Sequence, residues 1–342
     1  MNNRSAGPRS FNTLQRSNRL ARLKRLQEAR ILLLAICALI LVLALTGLVF
    51  LFCQIGHNVS TGGGSGGGKS GKVNYTMLNV LTRDENAEVS IYRGNLILVN
   101  AENPYHYPQT RIEDLSSNDK SNYSLQSYRR NLGSNKFSYY VVPSEDNFYM
   151  IPEAANAMGS LLNYYYDQTD DALMVRMGYQ KESTVTNGNY DQQVGLSASI
   201  DSDYSVSLKS DSCLKLISDG ARFGIIQRFP SGKASETGVS GCTNVFRYVG
   251  VPHAGYITNQ NLTLESYLKL LQSDYTYSKS HLLLNAAGEE VKAKDAVYEV
   301  YYVAATDGDS MQVPVPKNYQ YTISGDNMGG FIVTVNLNKP IA

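Results

Sequence analysis

Ile31–Cys53 reads ILLLAICALILVLALTGLVFLFC, 23 residues without a charge, and this run limits the chain's options more than any other feature. At ~1.5 Å per residue it spans ~35 Å, enough to cross a hydrocarbon core with slight tilt. A cleaved signal peptide would have a shorter apolar region and a small-residue cleavage site, and Phe52 stands where that site belongs. The reading is therefore a retained transmembrane helix. Residues 1–30 carry eight Lys/Arg against Glu28 alone, whereas Gln54–Gly68 has no cation. That asymmetry keeps the N-terminus cytoplasmic and exports the rest. Leu14, Leu20, Leu23 and Leu26 interleave with Arg16, Arg19, Arg22 and Lys24. This pattern suits a short helix on anionic lipid, and an unstructured topogenic tail suits it equally.

The organisation that follows is a basic tail (1–30), a membrane span (31–53), a linker (54–72) and an exported part (73–342). The linker holds TGGGSGGGKSGK, Thr61–Lys72, which should behave as a coil with a span of ~20 Å. The exported part is net −8, with no excess of cations to neutralise phosphates, so nucleic acid is not expected as a partner. Four cysteines and four histidines are too few for a cysteine-built metal cluster or a disulfide scaffold.

Within the exported part the patterning predicts α+β followed by a small all-β module. Val89–Tyr92 and Leu96–Val99 flank Arg93-Gly94-Asn95 and read as a hairpin. A helix is predicted from Pro152 to Tyr166, with Ala154, Ala157, Met158, Leu161 and Leu162 on one stripe. Strands are predicted at Ala172–Met177, Gly195–Ile200, Phe223–Phe229 and Val245–Val249. Helices are predicted at Ser212–Ala221 and Leu262–Gln272, the latter capped by Thr263 or Asn261. From Tyr275 the texture becomes β-branched and aromatic, and five short strands are expected at 281–284, 297–304, 312–315, 319–324 and 331–337. The domain boundary is accordingly placed between 275 and 276.

Three blocks over residues 89–272 resemble the VanY-type D-alanyl-D-alanine carboxypeptidases, zinc peptidases that trim bacterial cell-wall stem peptides. They are FGIIQRFPSGKASETG (Phe223–Gly238), FRYVGVPH (Phe246–His253) with LTLESYL (Leu262–Leu268), and more weakly NLILVN (Asn95–Asn100) with MGYQKE (Met177–Glu182). The tail from Tyr275 resembles an extension seen on some members. The resemblance implies a VanY-like zinc-carboxypeptidase fold for 73–275. It also implies a zinc site built from SxHxxGxAxD and ExxH, with the glutamate as general base and an arginine from SGYRS orienting substrate.

Aligned on that pattern, this chain departs at all six positions. Gln192 and Val245 stand for the ligand histidines, Ser199 for the ligand aspartate, Cys242 for the base, Tyr190 for the motif serine and Gln180 for the arginine. An amide, a hydroxyl and an isopropyl group cannot hold zinc against water, so no cofactor is expected here, although active relatives use zinc. Slipping the alignment to Asp191 or Asp201 breaks the seven-residue ligand spacing and turns the side chain to the other face of a strand. The resemblance further implies a vestigial substrate groove at Gln180, Tyr190, Arg228, Arg247 and His253. His253 also reads as a loop or packing histidine.

Cys37 and Cys53 lie in the apolar run and pack as small apolar groups. Cys213 and Cys242 are exported; a disulfide between them would close a 30-residue loop and add roughly 3–4 kcal/mol. The 25 tyrosines, including Tyr164–Tyr166 and Tyr301-Tyr302, read as ordinary packing or as a binding surface. The leading expectation is a single-pass bacterial membrane protein with an inactive carboxypeptidase-like ectodomain that binds stem peptide or another envelope protein. The alternatives are an active metallopeptidase with substituted ligands and a structural component of an envelope assembly.

Overall fold

The computed structural model describes residues 72–108, 137–142, 148–181 and 190–341. The basic head, the run Ile31–Cys53 and the Gly-rich stretch lie outside these residues. Among the described residues, no helix is long and apolar enough to cross a membrane.

Pro152 starts helix α1 (Pro152–Thr169) at its first turn, where a missing N–H costs nothing. Asp170, at φ 54°, ends it by donating its backbone N–H to the Tyr166 carbonyl. The predicted stripe is the buried one: Met158, Leu161 and Leu162 pack on Leu173, Val175, Ala198 and Phe246. Those partners belong to a five-stranded sheet of β2 (Tyr139–Val141), β3 (Leu173–Met177), β4 (Ser197–Asp201), β5 (Ile225–Gln227) and β6 (Val245–Tyr248). Its order is β2-β3-β4-β6-β5, with β2 and β3 parallel and the other pairs antiparallel. Helix α2 (Ser210–Gly220) precedes β5, and a short helix α3 (Ala234–Thr237) follows it.

Two further helices carry the chain towards the C-terminal sheet. Helix α4 (Val251–Asn259), for which the sequence patterning gives no expectation, starts after Gly250 without a side-chain cap. Gly255 is there for space: a Cβ on it would lie 2.4 Å from the Ala287 carbonyl oxygen. Helix α5 (Leu264–Asp274) is capped by Thr263, whose Oγ1 accepts the Ser266 N–H at 3.1 Å. Asn261 instead takes a left-handed φ of 50° ahead of the cap.

All five strands expected after Tyr275 form: β7 (Leu282–Leu284), β8 (Tyr298–Ala304), β9 (Ser310–Pro316), β10 (Tyr319–Gly325) and β11 (Gly330–Pro340). Four of them make an antiparallel sheet of order β10-β11-β8-β7. The fifth, β9, pairs elsewhere, with β1 (Tyr75–Leu81), in a register running from Tyr75↔Pro316 to Leu81↔Ser310. The β module is therefore not confined to 276–342, since its second sheet is completed by Tyr75–Leu81 near the start of the described residues. The 275/276 boundary also runs through shared apolar packing. Leu264, Leu268 and Leu271 of α5 bury against Leu282, Val300 and Ile332 of the four-stranded sheet. Residues 68–342 form one compact unit.

The hairpin expected at 89–99 does not form. Its backbone groups bond instead to the β10–β11 connection. Gly325 N donates to Arg93 O at 2.7 Å, Asn327 N to Ile91 O at 2.8 Å and Leu98 N to Asp326 O at 2.9 Å. Gly94 has φ +119° because Ser324 packs directly against it.

Candidate functional site

Residues 190–194 make a 3₁₀ turn, and Gly195, at φ 75°, then reverses the chain into β4. This turn sets Gln192 against the strand that carries Ser199, and the Gln192 Nε2 donates to Ser199 Oγ at 3.3 Å. Ser199 in turn stands opposite Val245 in the β4–β6 register. The three positions aligned with metal ligands thus converge, as the alignment requires. Gln180 joins them through its backbone, donating to the Gln192 carbonyl at 3.2 Å. Tyr190 is half-buried against the α1 core.

Cys242 packs on the small apolar cluster of Phe229, Val239 and Val245. Burial pushes its thiol pKa up, so it is protonated at neutral pH. Cys213 and Cys242 are both free thiols, so the disulfide considered from sequence is absent. The Cys213 thiol instead donates weakly to the Thr243 carbonyl, and the Gln227 Nε2 donates to Cys213 Sγ at 3.4 Å and to Thr243 O at 2.7 Å.

Arg228 and Arg247 do not line a groove. Both are fully buried, held in a charge cluster that includes Asp191 and Glu265. Arg228 makes a bidentate fork to Glu265 at 2.7 and 3.0 Å, and its Nε donates to Asp191 at 3.0 Å. Arg247 bonds to Asp191 and donates its other terminal nitrogen to the Asn95 and Ile97 carbonyls at 3.0 and 2.8 Å. Ser197 donates to the remaining Asp191 oxygen. Burial alone would raise the Asp191 carboxyl pKa, but Arg247, Arg228 and the Ser197 hydroxyl overcome it and hold it below the usual carboxylate range. Two guanidiniums and two carboxylates leave the cluster neutral overall.

This geometry also disposes of the slipped alignments. Asp191 is occupied by the arginines. Asp201, the other acid nearby in sequence, accepts from Arg176 at 3.3 Å and Asn244 at 3.1 Å. His253 is likewise removed from any groove role. It sits on α4 with one ring nitrogen 2.7 Å from the Tyr267 hydroxyl and the other 3.0 Å from Thr334 Oγ1 of β11. Burial pushes its pKa down to about 3, so the ring is neutral and joins α4, α5 and the C-terminal sheet. Sequence reading missed Asp191, Glu265, Tyr267 and Thr334 as partners. The available signal was an arginine set inside each apolar strand, FGIIQRF and VFRYVG, since a buried guanidinium requires a buried acid.

The chain is 27% identical over 254 residues to a D-alanyl-D-alanine carboxypeptidase of Enterococcus faecium, covering 72% of this chain and 77% of that protein. A second D-alanyl-D-alanine carboxypeptidase, from Enterococcus faecalis, is 27% identical over 175 residues, 51% of this chain and 65% of that one. Both similarities support membership of the VanY-type D-alanyl-D-alanine carboxypeptidase family. A solved structure agrees on the fold: the vancomycin-resistance D,D-dipeptidase VanXYg, in complex with a D-Ala-D-Ala phosphinate analogue, superposes with a TM-score of 0.57. It is 21% identical, and the match covers 77% of this chain and 99% of that one. No family model matches the sequence.

Zinc does not fit the donor set at the family's ligand positions. Gln192 and Ser199 are neutral and already bonded to each other, and Val245 offers carbon only. Among the described residues, no group of three or more His, Cys, Asp or Glu side chains gathers as metal ligands. The chemistry of these positions is neutral, able to donate and accept hydrogen bonds but with no general base at Cys242.

Proposed function

We propose that this D-alanyl-D-alanine carboxypeptidase-like protein has kept the family scaffold and lost its reaction, serving as a binding module for cell-wall stem peptide. We place it on the bacterial membrane through Ile31–Cys53, with its N-terminus cytoplasmic and residues 73–342 outside. One observation carries the loss of reaction. The three family ligand positions come together on β4, β6 and the 190–194 turn, yet they present an amide, a hydroxyl and an isopropyl group. Among the described residues, Asp191, Asp201 and His253, which might substitute, are held by other partners. The relatives' names supply the ligand class: both are D-alanyl-D-alanine carboxypeptidases, and VanXYg is seen with a D-Ala-D-Ala phosphinate analogue.

The test is to incubate the full chain in detergent micelles with zinc and a diacetyl-Lys-D-Ala-D-Ala tripeptide. The expected result is saturable binding by ligand-observed NMR and no D-alanine above a heat-killed control. Release of D-alanine by zinc-loaded protein would overturn the loss of reaction, and absence of binding would overturn the module.

A further inference from the structure

A cavity of about 470 Å³ lies between α4 and the four-stranded sheet, lined by residues other than those of the vacated pocket. Strand register sets its floor. Gln320, Asn336 and Tyr298 stand in one row across β10, β11 and β8, and Thr322 pairs with Thr334 in the row beside it. Residues two apart along a strand share a face, so these amides and hydroxyls form a polar ladder, and all five line the cavity. The start of α4, with Tyr248 and Asn95, closes the other side.

Most of these polar groups are unspent. Thr334 is engaged by His253 at 3.0 Å. Among the described residues, the Gln320 amide, the Thr322 hydroxyl and the Tyr298 phenol make no hydrogen bond through the side chain. Charge is equally sparse. Lys339 is the single charged side chain on the lining once His253 is counted as neutral, and no carboxylate is present there.

This lining selects a ligand class. Amides and hydroxyls fixed along a sheet both donate and accept, which matches the adjacent hydroxyl and acetamido groups of a sugar. Tyrosine rings accept the sugar's C–H faces while their hydroxyls stay wet. A single ammonium matches a single carboxylate, whereas a phosphate would call for several cations. An apolar ligand would leave the ladder unpaired. The volume falls within the ordinary range for a small-molecule site. We propose that this cavity is a second binding site, taking an amino sugar that bears one carboxylate, independently of what the vacated pocket holds.

The test is titration of the full chain in micelles, read by ligand-observed NMR, with N-acetylmuramic acid, N-acetylglucosamine and D-lactate as probes. The first has ring and carboxylate, the second the ring alone and the third the carboxylate alone. N-acetylmuramic acid should saturate, N-acetylglucosamine should bind about fivefold more weakly, and lactate should not saturate up to about 10 mM. Lys339→Gln should weaken N-acetylmuramic acid about fivefold and leave N-acetylglucosamine unchanged. Tyr298→Ala should weaken both sugars about tenfold. Thr322→Val, at an exposed position, should weaken both about threefold and serves as the ring-side test if Tyr298→Ala unfolds. No saturation by N-acetylmuramic acid at about 10 mM would overturn the proposal. So would equal affinity for both sugars with no response to Lys339→Gln.

Discussion

Asp191→Asn is the sharpest perturbation of this fold. Asp191 and Glu265 balance Arg228 and Arg247 in a space with no solvent, and the substitution leaves that space net positive. Glu265 still holds Arg228 through its two-bond fork, so the loss falls on Arg247. That side chain keeps only the Asn95 and Ile97 carbonyls, and its Nε already has no partner. Removing one partner of a buried pair costs about 3–5 kcal/mol, a large share of the ~5–15 kcal/mol that holds a typical domain together. The midpoint of thermal unfolding should fall by roughly 8–15 °C.

The chain has 25 tyrosines and no tryptophan, so near-UV tyrosine ellipticity in urea and heat is the natural readout. The pH dependence has a definite sign. The Asp191 carboxyl is held below its unfolded value of ~3.9, so its stabilisation is fully present above that pH. The contribution is lost as pH falls through the lower, folded value. The gap between wild type and Asp191→Asn should therefore narrow in acid, while carboxylates common to both proteins cancel. Adding Arg247→Met restores neutrality and should recover at least half the loss. A cost under about 1 kcal/mol, or a gap as wide in strong acid as at neutral pH, would refute the reasoning.

Three further outcomes follow from the same geometry. His253, pushed down to about 3 by burial, should stabilise the fold fully above its unfolded pKa of ~6.5 and lose that contribution as pH falls towards 3; urea melts should show a slope across this window that His253→Gln flattens. The quadruple variant Gln192→His, Ser199→Asp, Val245→His, Cys242→Glu should bind zinc near one equivalent by metal analysis and release D-alanine from the tripeptide; zinc at about 100 times its dissociation constant would add ~2.7 kcal/mol of stability, and a variant that folds without taking up zinc would show that more than the donor set has changed. Gly255→Ala should destabilise by several kcal/mol in thermal melts, because its Cβ would meet the Ala287 carbonyl and the Gly288 backbone, neither of which can rotate away as a side-chain tip could.

What the sequence made legible was local or motif-borne. The α1 stripe, the five C-terminal strands and the Thr263 cap each rest on patterns of a few residues, and each formed. The convergence of Gln192, Ser199 and Val245 came from a family spacing, which encodes a three-dimensional relation that periodicity alone does not. What escaped the reading depended on remote partners. The 89–99 segment alternates well enough for a hairpin, but its hydrogen bonds are taken by residues more than 200 positions away. Arg228 and Arg247 were assigned to a vestigial groove on the family resemblance, whereas the structure buries them against acids that arrive from the 190–194 turn and from α5. Helix α4 was not predicted, and the purpose of its Gly255 appears only once the 287–288 turn lies across it.

The pairing of β1 with β9 has a consequence for how the chain is made. Nascent polypeptide emerges at about 5–20 residues per second, so Tyr75–Leu81 waits roughly 10–45 s before Ser310–Pro316 exists to receive it. During that interval the early strand has no mate, and the second sheet cannot close until synthesis is nearly finished. A long-range pairing of this kind slows folding and keeps the polypeptide loose until late, the condition in which a chain is most easily threaded through a membrane pore.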